Sequence, residues 1–392
     1  MRLAHLADTH LGYRQYYRQT ASGLNQREAD VAMAFRKVVD ALLEVRPEVV
    51  VVAGDLFHTV RPPNAAIVFA FQQMQRLREA LPEAAILLLA GNHDTPRSTE
   101  TGTIFRLFEA AGIDVAIDEA RRLVYPHLDL ELLAVPHQAL MGSERPVLAP
   151  GSSARYQVLA LHGEIEGTYP TDHSPGDPGV GVLQASDLGA EAWHYVALGH
   201  YHVMHQVAER AWYSGALDYV TTNPWGERRD ETARHLPGKG WILADLETGD
   251  VTPQFLTPVR RVHDLPVIDA TDRTPAEVDL LLREQLEGLP NGGADDLVRQ
   301  VVEGIPRHVA RDLDHAFIRQ AKARALHYRL DLRRPIQPGL VGVGPAGRRQ
   351  ALPELLEEYL RQRPLPSELD RDTVIARGLA LLARAQDDRE ES

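Results

Sequence analysis

The chain has 392 residues, enough for two to three domains of roughly 150 residues each and for a sizeable buried core. It contains no cysteine, which excludes a disulfide framework, a cysteine-ligated zinc or iron–sulfur site and a thiol nucleophile. With 42 Lys and Arg against 55 Asp and Glu the net charge is −13, which excludes a uniformly basic coat and makes the placement of the positive charge the informative quantity. The apolar runs at 49–53 and 84–90 are far shorter than the ~20 residues of a membrane span. The opening MRLAHLADTH lacks the apolar core of a signal peptide, so a soluble cytoplasmic protein without membrane contact is expected.

Over about the first 250 residues, short apolar runs alternate with helical periodicity, the pattern of an α/β fold. Strands are predicted at 3–6, 49–53, 85–89, 132–135, 158–161, 195–198 and 241–244. A helix over 27–45 carries Val31, Phe35, Val38 and Leu42 on one stripe, and Pro47 closes it. A second helix follows Pro62-Pro63-Asn64, with Asn64 as its N-cap. Its apolar residues Ile67, Val68, Phe69, Phe71, Met74, Leu77 and Leu81 cover more than one face. The sequence leaves two readings open: a helix wedged between two layers of its own domain, or half of a dimer interface over 67–81.

From residue 261 the texture changes. Strands at 264–270, 295–303 and 325–332, with helices at 275–287 and 309–322, suggest a small α/β cap spanning 261–335. Between 299 and 350, 11 Arg and Lys face 4 acids, a local excess that favours an anionic partner. Residues 336–350 have linker composition. Beyond them, in 351–392, Leu352, Leu355, Leu356, Tyr359 and Leu360 form one stripe, and Val374, Ile375, Leu379, Leu381 and Leu382 another. Two such short helices bury little by themselves, so they dock on the body or on a partner.

Five segments share one plan, an apolar strand running into a turn with metal-type ligands: Asp8-Thr-His10, Gly54-Asp55-Leu-Phe-His58, Gly91-Asn92-His93-Asp94, His162-Gly163-Glu164 and Gly199-His200-Tyr-His202. In α/β sheets, sites form just beyond the carboxyl ends of strands, so five such ends can converge. If the segments are extended, residues two apart point the same way, pairing Asp8 with His10 and His200 with His202. Carboxylate and amide oxygens with several imidazoles suit Mn²⁺, Fe or Zn better than Mg²⁺ alone. With Asp55 bridging, two divalent ions about 3.5–4 Å apart form a clamp for in-line displacement at phosphorus. No G-x-x-x-x-G-K-[ST] loop is present, which excludes ATP hydrolysis by a P-loop.

The ordered set D-x-H, GD, GNHD, H and GH-x-H resembles the calcineurin-like metallophosphoesterases. The runs ADTHLGYRQYY, VVVAGDLFHTVRPP, LLAGNHDTPR and YVALGHYHVMH resemble more closely the double-strand-break-repair nucleases, called SbcD in bacteria and meiotic-recombination-eleven in archaea and eukaryotes. The resemblance covers about residues 1–260 and implies a two-sheet α/β/β/α sandwich as the nuclease domain. It implies one metal on Asp8, His10, Asp55 and His202, and a second on Asp55, Asn92, His162 and His200. His93 is implied as the acid that stabilises the transition state or protonates the leaving 3′-oxygen, held by Asp94, and His58 as a neighbour of the attacking water and the substrate phosphate. It further implies two Mn²⁺ and a homodimer through the 67–81 helix. Arg307, Arg311, Arg319, Lys322 and Arg324 become candidate DNA contacts in the cap. Residues 351–392 become the site for an SbcC-like coiled-coil ABC ATPase, at the nucleoid. The competing readings are a phosphodiesterase or phosphatase acting on small nucleotides or phosphoesters, and a non-catalytic scaffold, against which the complete ligand set argues.

Overall fold

A strand buried on both faces needs an apolar side chain at every position, and the run Val-Val-Val-Val-Ala at 49–53 supplies one. In the computed structural model of the chain, residues 1–95, 103–142, 144–168, 181–335, 342–343, 350–362 and 370–390 are described. The run is β2 (Val49–Ala53), in a six-stranded sheet ordered β14 (Val251–Phe255), β13 (Gly240–Asp245), β1 (Arg2–Leu6), β2, β3 (Ala85–Leu89), β4 (Asp114–Ala116). Strands β1 to β4 are parallel, with β13 and β14 added antiparallel. A second six-stranded sheet is ordered β11 (His205–Ala208), β12 (Ala211–Tyr213), β10 (Tyr195–Gly199), β7 (Tyr156–His162), β6 (Leu130–Val135), β5 (Arg121–Tyr125), and its four central strands are parallel.

The two sheets lie face to face. Val49, Val51 and Ala53 share one core with Leu132, Ala134, Val158, Ala160 and Ala197 of the second sheet. Val50 and Val52 point the other way, into a core with Val31, Phe35 and Val38 of α1 (Gln26–Val45), Met74 and Leu77 of α2 (Asn64–Ala80) and Phe108 of α3 (Arg106–Glu109). The outer face of the second sheet is covered by Leu140 of α4 (His137–Met141), the turns at Ala185–Leu188 and Ala190–Ala192, and Trp193. A short strand pair, β8 (Glu164–Ile165) with β9 (Val182–Leu183), follows β7. This is the expected α/β/β/α sandwich, with one outer layer built from short pieces. Among the described residues no helix is long and apolar enough to cross a membrane.

Helix α1 is capped by Asn25, whose side chain accepts from the Arg27 and Glu28 amides. At α2 the expected cap is displaced: Asn64 is the first helical residue, and Pro63, with ψ 142°, is the last extended one. Of the apolar residues of α2, Met74 and Leu77 are buried, as is Leu81 just beyond it; Ile67, Phe69 and Phe71 are half-buried against the core, and Val68 is 54% exposed.

The chain forms two compact units, 1–268 with 275–301 and 313–331, and 269–274 with 302–312 and 332–392. After α5 (Pro224–Ala233) come β15 (Val262–Asp264), β16 (Ile268–Asp269), α6 (Pro275–Glu287), β17 (Leu297–Glu303), α7 (Arg307–Arg311), α8 (His315–Arg324) and β18 (His327–Leu332). The single strand expected at 264–270 is two, with Pro266, which has no N–H for a ladder, between them. The single helix expected at 309–322 breaks after Arg311, and Asp314 starts α8 by accepting from the Ala316 and Phe317 amides. Within the first unit, Arg260 pairs with Asp30 on α1 at 3.2 Å, Arg18 pairs with Asp295, and Tyr16 stacks on His327 at 4.1 Å between ring centroids. In the second unit, β19 (Gly342–Val343) pairs with β20 (Gln350–Ala351), and α9 (Leu352–Gln362) meets α10 (Arg371–Glu390). Arg371 donates to the Leu360 and Arg361 carbonyls at 2.7 and 2.9 Å. Most of the linker expected at 336–350 lies outside the described residues, as do Arg97, Arg348 and Arg349.

The two sheets approach most closely where β10 meets the end of β2. A Cβ on Gly199 would stand 1.8 Å from the Ala53 carbonyl oxygen, so only glycine fits without moving backbone. Gly199→Ala is expected to lower the unfolding free energy by roughly 1–3 kcal/mol through overpacking, read by urea denaturation.

Candidate metal centre

The carboxyl ends of β1, β2, β3, β7 and β10 deliver all five ligand-bearing turns to one place. The first two turns are laced together: the Asp8 amide donates to Gly54 O at 3.0 Å, His10 to Asp55 O at 2.9 Å and Leu11 to Leu56 O at 2.9 Å. The residues are not extended, as the expected pairing of Asp8 with His10 assumed. Asp8 (φ 50°), His10 (φ 47°), Asp55 (φ 51°) and His200 (φ 109°) all sit at positive φ. For non-glycine residues such backbone costs about 1–3 kcal/mol each and persists only where surrounding bonds over-determine it. Left-handed turns, not strand alternation, therefore aim these side chains inward.

Asp55 lies at the middle. It is buried, its Oδ1 accepts from the His93 amide at 2.9 Å, and its Oδ2 stands 3.6 Å from His10 Nε2 and 3.5 Å from His162 Nε2. On one side, ligand atoms of Asp8, His10 and His202 lie within 4.8 Å of one another, and His10 Nε2 is 3.1 Å from His202 Nε2. On the other, Asn92 Oδ1 lies 3.0 Å from His162 Nε2 and 3.3 Å from His200 Nδ1. Both Asp8 oxygens accept from the His200 amide at 3.0 Å. A Cβ on Gly91 would fall 2.1 Å from Asp55 Oδ1, so the close approach of the third turn depends on that glycine.

These separations fit divalent ions. Two donors on one ion at about 2.0–2.2 Å stand roughly 3.0–3.5 Å apart, whereas 3.5–3.6 Å is long for a hydrogen bond. Tautomers agree: His162 Nδ1 faces the Ala53 carbonyl at 2.8 Å, which keeps its proton there and leaves Nε2 as a lone-pair donor. The seven candidate ligands, Asp8, His10, Asp55, Asn92, His162, His200 and His202, are all brought together.

His58, His93 and Asp94 also reach the centre, with one redistribution of roles. The His93 ring is held through Nδ1 by the His58 carbonyl at 2.8 Å. Asp94 does not hold that ring. Its Oδ2 accepts from the Leu56 and Gly91 amides at 3.1 Å each and its Oδ1 from Phe57 at 2.9 Å, so it fixes the second and third turns to each other. His58 stacks on His93 (5.3 Å, 21°), and His58 Nδ1 lies 3.3 Å from His10 Nδ1. Sequence reasoning assigned no role to Tyr13, whose ring meets His58 edge-on at 4.9 Å and whose hydroxyl donates to Thr221 O at 2.9 Å. Its signal was a place in the run that begins at Ala7. The candidate DNA contacts do not join the centre: Arg319, Lys322 and Arg324 are exposed on α8, and Arg307 and Arg311 are exposed on α7, in the other unit.

Burial dominates the electrostatics. It pushes the Asp8 carboxyl up to about 7, against His202 and with help from Asp55. It pushes His162 and His200 down to about 3 and His58 down to about 4, and it takes His10 well below the usual imidazole range, with neighbouring imidazoles adding to the effect. Asp94 is raised by burial and by Asp55, against its three amide bonds. His202 is the exception: against its burial, Glu227 and Asp8 hold it above the usual imidazole range. The other four imidazoles are held neutral beside poorly solvated carboxylates, a donor set that a cation completes.

A family model described as calcineurin-like phosphoesterase matches residues 1–204. The chain is similar to the DNA double-strand break repair protein Mre11 of Methanocaldococcus jannaschii, 27% identical over 71% of this chain and 69% of that protein. It is 26% identical to the protein of the same name from Sulfolobus acidocaldarius, over 74% and 72%. A 109-residue stretch is 39% identical to that of Methanococcus maripaludis, covering 28% and 27%.

A histidine whose value is held below the ordinary 6.5 contributes stability above that pH and loses it as pH falls toward the depressed value. Asp8 acts oppositely: its contribution is present below 3.8 and is lost as pH rises through about 7. Four depressed imidazoles outnumber the three raised groups, Asp8, Asp94 and His202. With chelator present, the melting temperature of the chain is expected to fall as pH drops from 6.5 toward 4. A flat profile across that window would contradict the buried neutral imidazoles.

Proposed function

Because the chain belongs to the calcineurin-like phosphoesterase family and is a metal-dependent phosphodiesterase, we propose that its substrate is DNA and that it is a Mn²⁺-dependent exo- and endonuclease of double-strand-break repair. One observation carries the reading: the buried Asp55 carboxylate standing between His10 and His162, with Asp8 and His202 on one side and Asn92 and His200 on the other. The similarity to DNA double-strand break repair proteins and the exposed Arg319, Lys322 and Arg324 on α8 support a nucleic-acid substrate over small phosphoesters.

One ion would be held by Asp8, His10, Asp55 and His202, and the other by Asp55, Asn92, His162 and His200. When bound, such ions polarise a phosphoryl oxygen and lower the pKa of an attacking water, and the imidazole-rich set favours Mn²⁺, Fe or Zn over Mg²⁺. His93 supplies the proton for the leaving 3′-oxygen. Its Nδ1–H is committed to the His58 carbonyl, which leaves Nε2 as the working atom. His58, wedged between Tyr13 and His93, orients the scissile phosphate and the attacking water. Asp94 acts through the turns it ties, so it is a positioning residue. A homodimer through α2 is supported by exposed Val68 beside half-buried Ile67, Phe69 and Phe71. An SbcC-like ATPase docking on α9 and α10 is supported by Tyr359 and Leu381, 53% and 59% exposed.

On labelled single-stranded and hairpin DNA, titration with Mn²⁺ is expected to give cleavage that Mg²⁺ does not match. His93→Ala should lower that rate by about 10²–10⁴-fold, the range for losing a general acid, while elemental analysis still finds two ions per chain. Metal loss in this variant would falsify the assigned role of His93. Substituting both Arg319 and Lys322 by Ala should weaken duplex binding and reduce its log–log salt slope by about 0.9 for each phosphate contact removed. An unchanged slope places the phosphate grip on other residues.

A further inference from the structure

Behind His202, on the side away from His10, lies a buried charge cluster that the reaction does not use. Lys239 is one of three lysines in the chain and is buried, as are Glu227 and Glu231, both on α5. Lys239 Nζ pairs with Glu227 Oε2 and lies 3.2 Å from Glu231 Oε1. Thr221 Oγ1 donates to Glu227 Oε1 at 2.5 Å, and the Tyr219 hydroxyl donates to Glu231 Oε2 at 2.7 Å.

Two atoms of this cluster reach one residue. Glu227 Oε1 stands 3.8 Å from His202 Nδ1, and Lys239 Nζ donates to the His202 carbonyl at 2.8 Å. The other ring nitrogen of His202, Nε2, faces His10 Nε2 at 3.1 Å. A buried ion pair adds little net stability over apolar residues of the same size, because desolvation of the charges offsets their attraction. Its value lies in directing what it touches. An imidazole that offers Nε2 to an ion carries its proton on Nδ1, and a carboxylate facing that proton fixes the tautomer and turns the ring.

We infer that Glu227, clamped by Lys239 and Thr221, is a positioning residue that sets the tautomer and orientation of His202 for one of the two ions, while Lys239 fixes the backbone of the same ligand. The inference rests on the metal-ligand reading of His202. It makes α5, a helix with no apolar stripe, part of the support of the centre, with Asn223 capping its start and Glu227 in its first turn. Glu231 belongs to the same cluster but is bonded to Lys239, Tyr219 and Arg228 rather than to His202, which provides an internal control.

The test is Mn²⁺ binding to the full chain, measured by titration calorimetry and by the spin-resonance signal of free Mn²⁺, with thermal melting recorded alongside. The unsubstituted chain is expected to bind two ions. Glu227→Gln should leave one site unchanged and weaken the other by about 10–100-fold, the usual effect of removing such a partner. Glu231→Gln should keep both affinities. Equal losses in the two variants would reduce the cluster to a structural role and overturn the inference, as would unchanged affinities in Glu227→Gln. Should Glu227→Gln fail to fold, Glu227→Asp keeps the charge beside Lys239 and withdraws the oxygen from His202; it should weaken the same single site, and full affinity there overturns the inference too. Absence of Mn²⁺ binding by the unsubstituted chain would overturn the ligand reading itself, a result distinct from the others.

Discussion

The constraint on which the rest of the structure depends is a carboxylate, Asp55, held out of water between two imidazoles. Neither His10 nor His162 is close enough to hydrogen-bond its Oδ2, and no cationic side chain contacts that oxygen among the described residues. The buried ammonium in this part of the fold, that of Lys239, is committed to Glu227 and Glu231. An unpaired buried carboxylate is costly, and the arrangement becomes favourable when a divalent ion lies on each side. Several local oddities then have one cause. Four left-handed residues, a glycine under the Ala53 carbonyl and another against Asp55 all shorten the path between side chains that would otherwise not meet.

The same requirement explains what could be read without coordinates. Strands β2 and β3 were legible because burial on both faces leaves an unbroken apolar run, and the ligands were legible because carboxylate and imidazole at consecutive strand ends have few other uses. What escaped was carried by backbone or by charge. Asp94 looks in sequence like the partner of its neighbour His93, yet its acceptors face three amides, groups every residue has and no sequence marks. Helix α5 reads as polar chain, since Trp-Gly-Glu-Arg-Arg-Asp-Glu has no stripe, and its buried residues include Glu227 and Glu231 beside Trp225. The strand pattern also misled in one respect: the pairing of Asp8 with His10 is real, but it comes from positive φ, which residue type alone does not announce outside glycine.

Continuity between the centre and the segment beyond residue 260 runs through one loop. His10 and Tyr13 face the metal ligands and His58, and a few residues later Tyr16 stacks on His327 while Arg18 pairs with Asp295 and donates to the Ala323 carbonyl. Arg260 adds a second tie, to Asp30, which also pairs with the fully buried Arg27. Helix α8 with Arg319, Lys322 and Arg324 is therefore fixed, within one compact unit, to the loop that carries His10. Contacts of this kind hold the basic face of α8 at a constant reach from the candidate ligands, the condition that positioning catalysis requires.

Charge segregation completes the argument. A chain of net charge −13 would repel a polyanion if its charges were spread evenly. Here the negative groups nearest the chemistry are buried and need cations, whereas α7 and α8 expose arginine and lysine. Without ions, Asp8 and Asp55 oppose the approach of a phosphodiester; with two ions the pocket becomes net positive. Metal binding and substrate binding at such a pocket would be linked through Coulomb energy, each strengthening the other by the same factor.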